Sequence, residues 1–231
     1  MTEDDDNLAV LPSTDDDGNA VVAVLVRIER SEMDMDPADL ARVLGYLAHP
    51  SRHVRRHAAG ALSAALAKGR ASAGDCARML DSDDPRVRWG TAFALGRAGY
   101  TSAQVLDVAV AALGDDDGDV RWAAASLVIA AARDSAELRA RLRDLVSGGT
   151  TRTRKMALLC LCDSGERDAA LYRDALGDAD PFVRLAALTS LARGGDRSDA
   201  SLAAISSLAQ ADVDPRVRRG AAAVLRRLTS A

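Results

Sequence analysis

Large aromatic side chains are scarce in this sequence. Phe, Trp and Tyr make up 3% of 231 residues, although hydrophobic residues as a whole make up 48%. A globular core needs large side chains to fill its interior, whereas an Ala- and Leu-rich chain suits thin layers of closely packed helices. No apolar run reaches the ~20 residues that span a bilayer. The composition therefore favours a layered helical protein with no membrane association.

Cysteine and lysine are rare as well. The three cysteines are too few and too irregularly spaced for a disulfide framework. Lysine occurs only at positions 68 and 155, and the net charge of -4 argues against binding of polyanions by bulk charge. The N-terminus is acidic where a secretory signal would be basic, which predicts a cytoplasmic protein.

The first residues differ in character from the rest of the chain. Residues 1–17 carry two Asp triplets around a short apolar piece and are predicted to form a disordered acidic tail. Val21, Val24, Leu25 and Ile28 then make one helical stripe. The β-branched residues here also suit a strand, but alignment with the later repeats favours an N-terminal capping helix within residues 18–35.

A short motif recurs through the remaining chain, residues 36–231. We call its central residue the anchor, and the six anchors are Val54, Val87, Val120, Thr153, Val183 and Val217. Their spacings of 33, 33, 33, 30 and 34 residues indicate stacked two-helix units. A second amphipathic segment precedes each anchor. These segments are Pro37 to Ala48, Ser72 to Leu80, Ser102 to Leu113, Ser135 to Val146, Arg167 to Leu176 and Ala200 to Ala209.

The copy at residues 84–95 shows why the motif specifies a helix. Asp84 can cap the free amides of the helix that follows, and Pro85 fits the first turn, where no backbone donor is needed. Val87, Thr91 and Leu95 fall on one side of that helix at four-residue steps. One repeat cannot bury this side alone, so stacking of neighbouring repeats is required.

These motifs resemble the HEAT-repeat family, in particular the short HEAT-like repeats of the phycobilin-lyase type. The family pattern of Asp-Pro, Val-Arg, paired Ala and Ala-Leu is present in Asp84-Pro85-Arg86-Val87-Arg88 and in His53-Val54-Arg55, followed by Ala58-Ala59 and Ala61-Leu62. The resemblance covers six repeats and implies an all-α fold: a right-handed α-solenoid (superhelix) of about six two-helix HEAT-like repeats. Members of this kind serve as protein scaffolds, as lyase subunits and as DNA glycosylases.

An arginine follows every anchor. These residues are Arg55, Arg88, Arg121, Arg154, Arg184 and Arg218. They could form a phosphate-binding ladder, but the resemblance implies that they pair with Asp residues of the inter-helix turns, and Asp115, Asp178 and Asp212 are placed for this. We therefore expect a structural role for them.

The remaining candidates for chemistry are weak. His49, His53 and His57 are four residues apart, but a helix start between the first two separates them, so we expect solvated polar surface and no metal. Cys160 and Cys162 are predicted to point to different sides of a helix. No Ser-His-Asp arrangement or phosphate-cradling Gly loop is recognisable. The sequence thus predicts neither a catalytic residue nor a cofactor.

The predicted binding surface is the other face of the second helix of each repeat. Positions two, six and ten residues after an anchor project from this face, which lines the concave groove of HEAT-like solenoids. The predicted partner-binding residues are Trp89, Phe93, Trp122, Arg56, Lys155, Arg219 and Arg227. Both tryptophans occupy equivalent places in adjacent repeats, and packing between repeats is the alternative role for them.

The predicted function is a non-catalytic scaffold or adaptor that binds another protein. The groove residues favour an acidic or aromatic segment as the partner, because Trp and Arg dominate interface energetics. Base stacking on nucleic acid is a further interpretation, which the acidic turns and the net charge disfavour. Two alternatives remain, a DNA glycosylase-like protein and a bilin-lyase-like subunit. A glycosylase would use a carboxylate in the groove, and Asp163 is the one acid among the positions two, six and ten residues after the anchors.

Overall fold

The computed structural model describes residues 18–30 and 35–230, and in these ranges the chain is helical without β-strands. The α-helices are α1 (Gly18–Arg30), α2 (Pro37–Tyr46), α3 (Arg52–Ala67), α4 (Ala73–Ala77), α5 (Pro85–Arg97), α6 (Ala103–Ala112), α7 (Gly118–Ala132), α8 (Ala136–Gly148), α9 (Thr151–Asp163), α10 (Ala169–Asp174), α11 (Pro181–Gly194), α12 (Asp199–Ala211) and α13 (Pro215–Thr229). Short 3₁₀ turns, Arg78–Asp81 and Ala175–Gly177, extend α4 and α10. No helix among the described residues is long and apolar enough to cross a membrane.

After α1, the helices alternate between the two classes that the sequence predicts. Each even-numbered helix is the first helix of a repeat, and each odd-numbered helix from α3 onward is the second and contains the anchor. This is the all-α, α-solenoid type of architecture. Residues 20–30 are helical rather than extended, as the alignment with the repeats predicts. Residues 1–17, predicted to be a disordered tail, lie outside the described residues.

The chain divides into two compact units, Met1–Ala109 and Val110–Ala231. In unit 1 a continuous apolar core extends from Val21 of α1 to Val105 of α6. The anchors Val54 and Val87 are buried in it, and Leu95 is 2% exposed. In unit 2 the anchors Val183 and Val217 are fully buried. Burial of each such side chain stabilises the fold by about 1.5–3 kcal/mol, which is why the motif must recur.

The predicted caps are confirmed at the Asp-Pro helix starts, whereas Ser51 before α3 makes no side-chain capping hydrogen bond. The Asp84 carboxylate accepts the Arg86 amide at 2.8 Å, and Asp180 and Asp214 cap α11 and α13 in the same way. Where the fourth copy lacks Asp-Pro, the Thr150 hydroxyl takes over and accepts the Thr153 amide. Helix capping is therefore kept even in the degenerate repeat, because the first amides of a helix have no intrahelical partner.

Each arginine after an anchor clamps its own inter-helix turn, which confirms its structural role. In Arg184, Nη1 donates to the carbonyl oxygens of Asp178 at 2.8 Å and Ala179 at 3.0 Å. The other five make equivalent bonds to one or two turn carbonyls. These guanidinium groups satisfy backbone acceptors that the turn leaves without partners.

Two of these arginines also reach the next repeat. Arg154 donates to both oxygens of Asp178, at 2.8 and 2.9 Å, and Arg184 donates to both oxygens of Asp212, at 2.8 and 2.7 Å. The pairing predicted for Asp115 is wrong: its carboxylate accepts the Asp117 amide and has no ion-pair partner in the described part of the chain. Bidentate pairs of this kind fix geometry as well as charge.

These pairs predict an acid-sensitive stability. Hydrogen bonds from Arg184 lower the pKa of Asp212 below its ordinary value of 3.8. Burial alone would raise the pKa of Asp178, but hydrogen bonds from Arg154 and from the Asp180 amide outweigh it and lower that pKa. A carboxyl with a depressed pKa in the folded state stabilises the fold above the ordinary pKa, and this stability is lost as pH falls through the folded value.

We therefore expect the free energy of unfolding to fall as pH drops from about 5 towards 2. Urea unfolding followed by circular dichroism across this range measures the effect. Asp212→Asn should show a flatter pH dependence, whereas the change Asp174→Asn at an exposed carboxylate should keep the wild-type slope. Equal slopes in all three proteins would contradict the assignment.

Two fully buried hydroxyl groups, those of Thr91 and Ser190, have no hydrogen-bond partner in the structure. The position of Thr91 is Ala in the other five repeats, so the hydroxyl is not required by the fold. We expect Thr91→Val to raise the free energy of unfolding by about 1 kcal/mol, because it removes an unsatisfied polar atom and keeps the shape. Thr189→Val is the control: its hydroxyl donates to the Leu185 carbonyl at 2.8 Å, so no gain is expected in denaturant unfolding.

Candidate protein-interaction site

The three aromatic residues of the predicted binding surface are all accessible to solvent, at least in part. Trp122 on α7 is 54% exposed, whereas Trp89 and Phe93 on α5 are half-buried. In unit 1 the rings of Trp89 and Phe93 are 5.7 Å apart in a tilted arrangement. The guanidinium of Arg97 lies 5.9 Å from the Phe93 ring. Trp122 is thus not a space-filling residue of the core, and the α5 pair presents a partly open aromatic surface next to a cation.

Arg56 extends this surface onto the neighbouring helix of unit 1. α3 packs against α5, and Arg56 stands two residues after its anchor, as Trp89 does on α5. Arg56 is exposed. We call the set Arg56, Trp89, Phe93 and Arg97 the α3–α5 face. It combines aromatic area with two guanidinium groups, the side chains that most often anchor protein interfaces.

Unit 2 carries its own aromatic and basic surface. Phe182 is 46% exposed and two cations lie near its ring: the Arg216 guanidinium is 4.6 Å from the ring centre and the Lys155 Nζ is 5.9 Å from it. We call these three residues the Phe182 cluster. Arg216 is also held by the carboxylate of Asp214, at 2.7 Å. Lys155 belongs to the predicted site, while Phe182 and Arg216 were not predicted.

The reason Phe182 was missed is its register. It stands one residue before its anchor, outside the rows counted two, six and ten residues after each anchor. A signal was nevertheless present, because the other two Asp-Pro copies have Arg86 and Arg216 at this position. Phe182 thus occupies a position that is polar or charged in the other five repeats, which indicates a surface role rather than a packing role.

The cations of the predicted site carry uncompensated charge. Arg56, Lys155, Arg219 and Arg227 have no ion-pair partner in residues 18–30 and 35–230, and the last two are exposed on α13. By contrast, many other arginines of the chain are paired with carboxylates. A free cation on the surface attracts an acidic partner over about a Debye length, roughly 8–10 Å.

Two positions of α9 that were counted six and ten residues after the anchor do not contribute to an accessible binding surface. Leu159 is buried at 8% exposure, contrary to the expectation for its row, because α9 is packed by α7, α8 and α11. Asp163, the acid considered for glycosylase chemistry, forms an ion pair with Arg193 of the next repeat. That carboxylate is therefore already engaged by a cation.

The histidines and cysteines have structural surroundings. His49 is buried, contrary to the expectation of solvated surface, and its Nδ1 accepts the Ser51 amide at 3.0 Å in the inter-helix turn. His53 and His57 share α3 and meet edge to face, with ring centres 4.6 Å apart. In the described ranges, no three His, Cys, Asp or Glu side chains are grouped so that they could hold a metal ion.

All three cysteines are buried thiols. Burial raises the pKa of Cys76 to about 11 and that of Cys160 to about 12. Cys162 is buried too, since α9 is enclosed by neighbours, and its Sγ is 3.7 Å from the Ser190 carbonyl. Cys160 and Cys162 are both in the core, although they stand two residues apart on α9. Neutral buried thiols are poor nucleophiles and poor metal ligands.

Comparison with known proteins identifies the repeats. The family model described as HEAT repeats matches residues 76–146 and 137–226, together well over half the chain. No curated protein matches the sequence. Among solved structures, an engineered protein is 19% identical with a TM-score of 0.47, and the match covers 85% of this chain and all of the other. A designed armadillo repeat protein in complex with the peptide (KR)4 is 15% identical with a TM-score of 0.39, covering 93% and 95%.

Proposed function

Because this chain belongs to the HEAT-repeat family, we propose that it acts as a cytoplasmic, non-catalytic scaffold that binds another protein. The observation that carries the proposal is the pairing of accessible aromatic rings with uncompensated cations on the second helices. Family membership supports the interaction role, since stacked repeats offer extended surfaces for partners.

The proposed ligand is a segment with acidic and large apolar side chains. Its apolar side chains would pack on Trp89 and Phe93 in unit 1, or on Trp122 in unit 2. Its carboxylates would meet Arg56 and Arg97, or the cations of α9 and α13. Aromatic residues contribute most of the affinity in such contacts, whereas exposed charges mainly raise the association rate.

Selection from a displayed library of random peptides tests this proposal with a defined probe. We expect the selected peptides to be rich in Asp or Glu together with Leu or aromatic residues. The double variant Trp89→Ala with Trp122→Ala should weaken their binding by about 30-fold, the equivalent of losing a 2 kcal/mol hot spot. Fluorescence anisotropy of a labelled selected peptide gives the dissociation constants.

Tyr100→Ala is the matched control, because Tyr100 is an exposed aromatic residue beyond the C-terminal end of α5. It should leave the dissociation constant unchanged. Equal affinities of the double variant and the wild type would show that the chosen aromatic residues are not the site. A gel shift with duplex DNA at moderate salt is the complementary measurement, and we expect no shifted band.

A further inference from the structure

The chain is divided into two parts of opposite charge. Residues 1–17 contain seven acidic residues and no basic residue. The rest of the chain therefore holds 30 basic residues against 27 acidic ones, a net charge of +3, although the whole sequence is at -4. The negative charge of this protein thus resides in a short terminal segment, and the repeats themselves are net basic.

The α3–α5 face carries part of this basic character, and α13, with five arginines and no acidic residue, carries another part. Helices α3 and α5 each carry three arginines and no acidic residue. Arg55 and Arg88 are used in the turns, but Arg56 and Arg97 have no carboxylate partner in the described part of unit 1. The rings of Trp89 and Phe93 belong to the same face, and the Arg97 guanidinium lies 5.9 Å from the Phe93 ring. This face matches a ligand that combines acidic and apolar side chains.

Residues 1–17 have that composition. The apolar piece Leu8 to Leu11 lies between the triplets Asp4 to Asp6 and Asp15 to Asp17. In extended form, the seven residues from Leu11 to Gly18 reach ~23 Å at about 3.3 Å per residue. Its apolar piece can pack on the rings of Trp89 and Phe93 while the carboxylates before and after it meet Arg56 and Arg97.

The segment also enters the fold at a suitable place. A Cβ on Gly18, where α1 begins, would lie 3.4 Å from Cγ2 of Val54 in the first turn of α3. Glu29, near the end of α1, approaches Gly60 in the middle of α3. α1 therefore runs beside α3 in the same direction, and the preceding residues start at the end of the helix pair where Arg56 and Trp89 lie. Packed helices are about 8–10 Å apart, so Trp89 is well within reach of a 17-residue segment.

We propose that residues 1–17 dock on the α3–α5 face of their own chain and cover it until a partner displaces them. Leu8 to Leu11 contact Trp89 and Phe93, and the Asp triplets pair with Arg56 and Arg97. This inference rests on the proposed function, because it takes the same face as a binding site for an acidic, apolar segment. Docking of residues 1–17 makes the binding site autoinhibited, because a partner must compete with a segment of the same chain.

The test uses the full chain and a labelled synthetic peptide of residues 1–17. In the neutralised variant, the six Asp of the two triplets are changed to Asn, so the attached segment no longer competes. We expect the peptide to bind this variant with a dissociation constant of about 0.1 mM or lower. Wild type should bind about tenfold more weakly, because an attached segment acts at an effective concentration of about 1 mM.

A second pair of variants locates the site. Trp89→Ala with Phe93→Ala, made in the neutralised background, should abolish peptide binding, whereas Tyr100→Ala should not change it. Circular dichroism confirms that each variant is folded. In a Trp122→Phe background, where Trp89 is the remaining tryptophan, acrylamide should quench the neutralised protein more strongly than the intact one.

The outcomes separate this inference from the proposed function. Equal peptide affinity for wild type and the neutralised variant would overturn docking in cis and leave the face as a binding site. Binding of display-selected peptides without any binding of peptide 1–17 would overturn the inference alone. Binding of neither probe would overturn both. Protection of Trp89 that grows with protein concentration would place the segment on a second copy, which also contradicts docking in cis.

Discussion

Replacing Arg184 by Met is expected to lower the free energy of unfolding of the surrounding repeats by about 3 kcal/mol. The side chains of Arg184 and Asp212 are 8% and 4% exposed, so this ion pair is shielded from water. Arg184 also holds two carbonyl oxygens of its own turn. Its removal leaves a buried carboxylate and two backbone acceptors without their partner, and the cost of desolvating them is no longer offset.

Denaturant unfolding followed by circular dichroism measures this loss, and two controls identify its cause. Arg184→Met combined with Asp212→Leu should recover part of the stability, because no charge is then left unpaired. Arg216→Met removes a guanidinium from an exposed ion pair and should leave unfolding almost unchanged, since surface pairs contribute little. An equal loss from Arg184→Met and Arg216→Met would show that shielding from water is not the cause.

Val87→Asp is the second change with a large expected effect. The anchor Val87 is 8% exposed, and a carboxylate there would be buried without a partner in the apolar core of unit 1. We expect a loss of about 4 kcal/mol or more in the free energy of unfolding, with loss of helical signal from the repeats around α5. In a stacked array a damaged repeat also weakens its neighbours, since each repeat buries its face on the next.

The same substitution at an exposed site provides the control. Val213 is 89% exposed in the turn before α13, so Val213→Asp changes charge without entering a core. Its melting curve should match that of the wild type. A Val87→Asp protein that melts like the wild type would contradict the burial of the anchor, and Leu95→Asp should behave like Val87→Asp.

The candidate site could be predicted only in part. Counting from the anchors placed Trp89, Phe93, Trp122 and Arg56 on one side of their helices, because a helical period relates residues within a single element. It did not find Phe182, whose surroundings come from Lys155 and Arg216 in other repeats. It also did not foresee that Leu159 is enclosed, since burial depends on which neighbours surround α9.

The contacts within the inter-helix turns could also be predicted only in part. The sequence indicated that Arg184 is structural and that Asp212 is a partner, but not that one guanidinium serves two carbonyls of its own turn and a carboxylate of the following repeat. His49 was interpreted as surface, whereas its ring takes the place that Asp178 and Asp212 hold in other turns, accepting an amide two residues on. A ring nitrogen and a carboxylate oxygen are equivalent acceptors there, which only geometry shows.

The sequence by itself determined the helices, their caps and the repeat, since each depends on residues within about 33 positions that recur in register. Helix capping and an apolar stripe are local properties, so they can be read from neighbouring letters. Only the tertiary structure decided which side chains stay accessible, which arginines form ion pairs and which buried hydroxyl groups have no hydrogen-bond partner. Those properties depend on contacts between repeats, and a periodic sequence specifies that such contacts occur without specifying which atoms meet.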